Sequence, residues 1–286
     1  MIFKKFFLLL IIPVCLAFNS CGYGFLKVLD HGQSVEERVG DLADIPASAV
    51  SGSTYSFLVI TDVHFGNSKS RHDDAFISCL QSKIADGSIN PAPSFAVCLG
   101  DIADHGNRSE FVSFNNLVSR IENIVGGKVY SVVGNHDLYN EGWDDFEALV
   151  YPNNSFYRFA INNISYYFLD TGSGSMGKAQ FNKFKSAMAS DSHYKIVCTH
   201  YPVYGTSDFF SSYYSLQNTL EADQLITILK NCKAIAYLSG HMHAEHSTNF
   251  GTFTEYVVPA YLSNGKFAVM TVNEANHSAT YKSFVY

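Results

Sequence analysis

Asp62-Val63-His64, Gly100-Asp101, Gly134-Asn135-His136-Asp137, His200 and Gly240-His241-Met242-His243 are the five places in this sequence where residues able to hold metal ions gather. Carboxylates are hard oxygen donors and imidazoles borderline nitrogen donors, a mixture that suits Mn, Fe or Zn better than Ca. Together the clusters offer more ligands than the four that a structural single-metal site requires. Two divalent ions about 3.5–4 Å apart can bind a phosphoryl oxygen, lower the pKa of a shared water and balance developing charge. His241 and His243 stand two apart on what reads as an irregular loop. On a strand that spacing would aim both the same way, with Met242 opposite.

Each cluster needs an element to carry it. Tyr55 to Ile60 is a short apolar run of the buried-strand kind, closed by Thr61-Asp62. Ser94 to Leu99 is a second, closed by Gly100-Asp101, and Lys128 to Val133 a third, closed by Gly134-Asn135. Between them Phe76, Ile77, Leu80 and Ile84 share one helical face within Asp73 to Ala85, and Phe111, Phe114, Leu117, Val118 and Ile121 recur at the same spacing. Phe156 to Ile161 and Ile164 to Leu169 flank Asn162-Asn163 as a hairpin. A helix over Lys178 to Met188 precedes a strand over Tyr194 to Thr199, and a helix over Leu220 to Lys230 precedes a strand over Ala234 to Ser239. His246 to Tyr286 reads as a strand meander turning at Asn249-Phe250-Gly251 and Ser263-Asn264-Gly265. Strand and helix alternate, which predicts a layered α/β domain over 54–286 with the clusters on loops at strand ends, where one cavity can collect them. Gly100, Gly134 and Gly240 each precede a candidate ligand, and are read as supplying backbone angles closed to other residues and room for the loops to crowd together.

In order, the clusters spell DxH, GD, GNHD, H and GHxH, and so resemble the signature of the calcineurin-like metallophosphoesterases from Tyr55 into the last third of the chain. The resemblance implies a four-layer α/β/β/α sandwich, two facing mixed sheets with helices outside, and a dinuclear metal-dependent phosphoesterase acting through hydroxide activated by two divalent or trivalent ions. By the same match Asp101 bridges the metals, Asp62, His64 and His243 complete the first site, and Asn135, His200 and His241 complete the second. His136 matches the family's general acid, and Asp137 the acidic partner that orients and charges its imidazole. Asn135 and His105 are the residues read as touching substrate. Serine/threonine protein phosphatases of the superfamily carry arginine where His105 stands, and purple acid phosphatases a metal-binding tyrosine at the place of Asp104. The pattern therefore lies closer to bacterial phosphodiesterase-like or broad-specificity members. Gly205 to Asn218, rich in Ser, Tyr and Phe, reads either as a flap that selects the leaving group or as a surface loop.

The rest of the sequence bounds the setting. A net charge of −7 with no Lys/Arg block beyond the first residues argues against a dedicated nucleic-acid surface. It leaves small phosphorylated substrates open, because bound metals supply positive charge locally. Apolar residues make up 47% of the 286, enough to bury a sizeable core. Lys4 and Lys5 precede an apolar run from Phe6 to Phe18, then Ser20 and Cys21: the pattern of a secretory signal over 1–20. Phe18-Asn19-Ser20-Cys21 resembles a bacterial lipoprotein box, which implies export, lipidation at Cys21 and membrane anchoring through a tether over 21–53. Cys98 and Cys198 lie inside apolar runs and read as core thiols rather than disulfides. A second reading of different kind stays open at this stage: a surface-displayed binding lipoprotein on an inherited phosphoesterase scaffold. Nothing in the sequence sets an oligomeric state.

Overall fold

The protein is described from a computed structural model, which covers residues 34–204 and 214–286. The signal over 1–20, Cys21 and the start of the proposed tether lie outside the described residues. In chain order the elements are α1 (Val35–Arg38), β1 (Ala43–Asp44), β2 (Thr54–Ile60), α2 (Asp73–Ala85), β3 (Pro93–Cys98), α3 (Arg108–Val125) and β4 (Val129–Ser131). A short 3₁₀ segment over His136–Glu141 leads into α4 (Gly142–Leu149), β5 (Tyr157–Ile161), β6 (Ile164–Phe168), α5 (Lys178–Ser190) and β7 (Tyr194–Cys198). The chain closes with α6 (Thr219–Asn231), β8 (Ala234–Ser239), β9 (His246–Asn249), β10 (Thr254–Val257), α7 (Tyr261–Asn264), β11 (Lys266–Asn273) and β12 (Ser278–Val285).

The strands form two mixed sheets, one ordered β1-β5-β6-β7-β8-β10-β9 and the other β12-β11-β2-β3-β4. β2, β3 and β4 run parallel, as do β6, β7, β8 and β10, so each sheet lines up several strand carboxyl ends on one side. Residue alternation explains the layers. Tyr55, Phe57 and Val59 of β2 point between the sheets, where they meet Phe95, Phe159, Tyr166, Ile196 and Leu238. Leu58 and Ile60 point the other way, onto Phe76 and Leu80 of α2 and Phe111, Phe114 and Ile121 of α3. On the far side Tyr167 and Val197 pack under Phe184 and Met188 of α5 and Leu225 and Leu229 of α6. Helix, sheet, sheet, helix is the order, and the α/β sandwich expected from the resemblance is the observed fold. Cys98 and Cys198 are buried free thiols within it.

Two expectations need correction. Residues 34–53 are not a loose tether but part of the domain. Ser34 and Glu37 close a reciprocal cap on α1, Val35 and Val39 are buried, and β1 pairs in parallel with β5. Arg38 reaches 132 residues along the chain to a buried pair with Asp170, its Nη2 3.0 Å from Oδ1 and its Nε 3.1 Å from Oδ2. The tail is not one meander either. β9 and β10 form a hairpin, yet β10 also pairs in parallel with β8, while β11 and β12 cross to the other sheet. Ser263-Asn264-Gly265 is the end of α7, with Gly265 in the left-handed region that commonly terminates helices.

Candidate metal centre

All five clusters sit just beyond the carboxyl ends of parallel strands: Asp62 and His64 after β2, Asp101 after β3, Asn135 and His136 after β4, His200 after β7, His241 and His243 after β8. That is where ligand sites form in parallel sheets. Backbone bonds knit the loops into one floor. Asp62 N donates to Gly100 O at 3.0 Å and His64 N to Asp101 O at 2.9 Å, while Gly240 N donates to His200 O at 2.9 Å.

Two groups of side chains share Asp101: Asp62, His64, Asp101 and His243 in one, Asp101, His200 and His241 in the other, while His64 also stands in a smaller group with Asp104 and His136. Asn135 joins the second, its Oδ1 3.2 Å from His200 Nε2. In each carboxylate one oxygen is anchored and the other is aimed. Asp62 Oδ2 accepts from Thr61 Oγ1 at 2.8 Å and His241 N at 3.1 Å, leaving Oδ1 toward His243. Asp101 Oδ1 accepts from His136 N at 2.9 Å, while Oδ2 lies 3.3 Å from His200 Nε2 and 3.7 Å from His64 Nε2. The Asp101 oxygen that lies between the two groups is therefore Oδ2. His200 Nδ1 donates to Leu99 O at 2.7 Å, which fixes the tautomer and turns the Nε2 lone pair inward.

The backbone is strained where the ligands are. Asp62, His64, Asp101, His241 and His243 all have positive φ, between 47° and 66°. For non-glycine residues this left-handed region costs of order 1–3 kcal/mol each and persists only when the surroundings enforce it. The sequence reading had assigned such angles to the preceding glycines, and only Gly100, at φ 92°, carries one. A methyl on Gly240 would collide with Thr61 Oγ1, so its role is room rather than rotation.

Several observations say that these residues fit metal ions. Asp62 Oδ1 is buried 3.1 Å from His243 Nε2 without forming a hydrogen bond to it. His64 and His243 present their Nε2 atoms to each other at 3.2 Å. Donors held about 2.0–2.2 Å from one ion must stand roughly 3 Å apart, which is this spacing. Charge agrees. Burial favours neutral acids, yet Asp62 and Asp101 are held below the usual carboxylate range by His243, His200 and His64. The answering charge falls on His200, which burial would lower but which Asp101 and Asp62 push up to about 9. His241, buried beside His200, drops to about 3. A bound cation would take over that positive charge and leave neutral imidazoles as ligands.

The neighbours of this cluster differ from the expectations. His136 turns Nδ1 to Asp104 O at 2.8 Å, and its ring stands perpendicular to that of His64 at 4.8 Å. Asp137 does not orient that imidazole. It is fully buried, its two oxygens accept from Ala103 N and Gly134 N at 2.8 Å each, and burial followed by Asp101 pushes it up to about 7. Its task is to tie the second loop to the third. His105 lies half-exposed at the rim with Nδ1 3.1 Å from Glu110 Oε1. Of the segment read as a flap or a surface loop, residues 205–213 lie outside the described residues; Tyr214 beyond them has its ring 6.0 Å from that of His241. Two acids were missed. Asp104 sets Oδ1 3.0 Å from His64 Nδ1, although the ring N–H does not point straight at it. Glu255, buried on β10, accepts from Val203 N at 2.6 Å and Tyr204 N at 3.2 Å and so anchors the chain after His200. Nothing marks Glu255 in the sequence, whereas Asp104, three residues past Asp101, was in view. A groove of about 410 Å³ between α5 and α6, lined by residues including Phe181, Lys185, Thr227 and Ile228, shares no residue with the cluster.

Comparison with known proteins agrees with this geometry. Residues 55–245 match the family model for calcineurin-like phosphoesterases. A Fibrobacter succinogenes protein named as a probable cyclic nucleotide phosphodiesterase is 27% identical over 167 residues, 57% of this chain. The match spans 63% of that relative's length, less than two thirds of it. A dimetal phosphatase of Danio rerio superposes with a TM-score of 0.58 over 79% of this chain and 98% of its own, at 11% identity. A purple acid phosphatase from yellow lupin seeds gives 0.59 over 82% and 53%, at 14% identity. At such identities the structural likeness is one of fold. The family match covers more than half the sequence and runs through every cluster, and with two facing sheets beneath those clusters, this chain belongs to the calcineurin-like phosphoesterase family.

Proposed function

We propose that this protein hydrolyses phosphate esters with a pair of metal ions held by Asp62, His64, Asp101, Asn135, His200, His241 and His243. The observation that carries the reading is Asp101 Oδ2, a buried carboxylate oxygen with an imidazole of each group beside it. Bound ions supply an acidified water and draw charge from the phosphoryl oxygens, and Mn, Fe and Zn suit this donor set. The protein's own groups do the rest. The neutral amide of Asn135 adds a ligand without adding negative charge. His136 keeps a proton on Nδ1, because a carbonyl can only accept, so Nε2 is the nitrogen left to act, and it gives a proton to the departing oxygen when the ring is doubly protonated. His105 and Asn135 are read as the residues that steady the phosphoryl group.

The substrate is read as a small phosphorylated molecule, and the name of the Fibrobacter relative favours a diester such as a cyclic nucleotide. The test is activity of metal-loaded protein on matched monoester and diester chromogenic substrates, then on cyclic nucleotides. Chelation is expected to abolish turnover, and Mn, Fe or Zn to restore it. Protein holding about two ions yet inert on a broad panel would sink the enzymatic reading in favour of a binding role. We also propose export and lipidation at Cys21. Metabolic labelling with a fatty acid checks this, with Cys21→Ser expected to lose the label and the membrane fraction.

A further inference from the structure

We propose that Asp104 is a positioning residue that holds His64 in the tautomer and orientation required of a metal ligand, so that it sets the affinity of one ion of the pair. The inference rests on the two-metal reading and goes beyond it, because Asp104 is not among the seven ligands named for the pair, although it stands in a group with His64 and His136.

Asp104 deals with His136 and His64 through different parts of itself, and its Oδ2 stands 3.6 Å from a third imidazole, at His105 Nδ1. Its backbone carbonyl accepts from His136 Nδ1 at 2.8 Å. Its Oδ1 stands 3.0 Å from His64 Nδ1 and also takes the amide of Asn67 at 3.0 Å. Of the links to His136 and His64, only the second depends on the side chain. A carboxylate facing Nδ1 keeps the proton there and leaves the Nε2 lone pair for the cluster, where His243 Nε2 stands 3.2 Å away. Carboxylates or carbonyls behind ligating histidines raise ligand basicity and fix ring orientation. His200 meets the same need with the carbonyl of Leu99, so the two groups solve it separately. The surroundings hold Asp104 in place. Its own N donates to Phe65 O at 2.8 Å, and Phe65 N donates to Ile102 O at 2.8 Å, so the carboxylate rides on the same knitted floor as His64.

Because the side chain serves His64 and the backbone serves His136, substitution at Asp104 separates metal binding from proton transfer. In calorimetric titration of the full-length apoprotein with Mn(II) or Zn(II), Asp104→Ala is expected to weaken one of two ions by about 10–100-fold and leave the other unchanged. Asp104→Asn, which still offers an oxygen but no charge, is expected to fall between. Asn67→Ala, which removes only the neighbour steadying Oδ1, is expected to show a smaller loss at the same ion. Imidazole nitrogen shifts in labelled protein report whether His64 keeps its proton on Nδ1. At saturating metal the variants are expected to regain most of the wild-type kcat, since His136 keeps its carbonyl. If Asp104→Ala binds both ions as the parent does, or if both weaken equally, the inference is wrong while the two-metal reading stands. If the parent itself takes up no ions, that reading falls and this one with it.

Discussion

At the residue scale the cluster divides its side-chain atoms between holding and reaching. Asp101 holds with Oδ1 and reaches with Oδ2. Replacing it by Asn leaves a holding oxygen but puts a neutral NH₂ where the shared oxygen was. Asp101→Asn is therefore expected to lower kcat/KM on the order of hundredfold or more, since metal ions contribute several kcal/mol of transition-state stabilisation. Steady-state kinetics beside metal analysis checks this. Asp137 carries the opposite expectation, loss of stability. Both its oxygens accept a backbone N–H, and Asn can meet only one of them, turning its own NH₂ against the other. Asp137→Asn is expected to cost about 1–3 kcal/mol, the penalty of a buried unsatisfied donor, and to lower Tm. A fall in kcat with Tm unchanged would instead favour the partnership with His136 read from the sequence.

At the element scale the docking of the N-terminal strap is the part that local pattern could not reveal. α1 has one turn, β1 two residues, and both are held by partners far along the chain. Arg38→Ala is expected to strand Asp170 in the interior and cost about 3–5 kcal/mol, measured by urea unfolding, with Arg38→Met/Asp170→Leu less harmful than either single change. The same contrast explains what was legible. β2, β3, β7 and β8 each combine an apolar run with a polar tip, so the elements and the ligands behind them could be read together. α2 and α3 showed their faces through Phe76, Leu80, Phe111 and Phe114. β10 has only four residues, and its choice of β8 depends on a neighbour across the sheet rather than on its own residues. Asp137 was read as a partner of His136 from the resemblance, and a short 3₁₀ turn sends neighbouring side chains in different directions.

At the scale of the whole molecule the cluster is a clasp between two sheets, because its loops come from β2, β3 and β4 of one and β7 and β8 of the other. A ligand that binds only the folded state stabilises it by mass action, about 2.7 kcal/mol at a hundredfold excess over Kd. Metal loading is thus expected to raise Tm. Chelation is expected to speed hydrogen exchange first in the loops around Asp62, Asp101 and His241, with the aromatic layer of Phe57, Phe95 and Tyr166 changing last. Uniform exchange across both sheets would show that the clasp bears no such load. The left-handed angles at His241 and His243 have a further outcome. Glycine enters that conformation freely, so His243→Gly should yield a metal-starved protein that is catalytically dead yet sturdier than its own stripped parent. Selection for thermal robustness in the absence of metal, with no demand for turnover, would then be expected to erase the histidines of that loop before it touched the core.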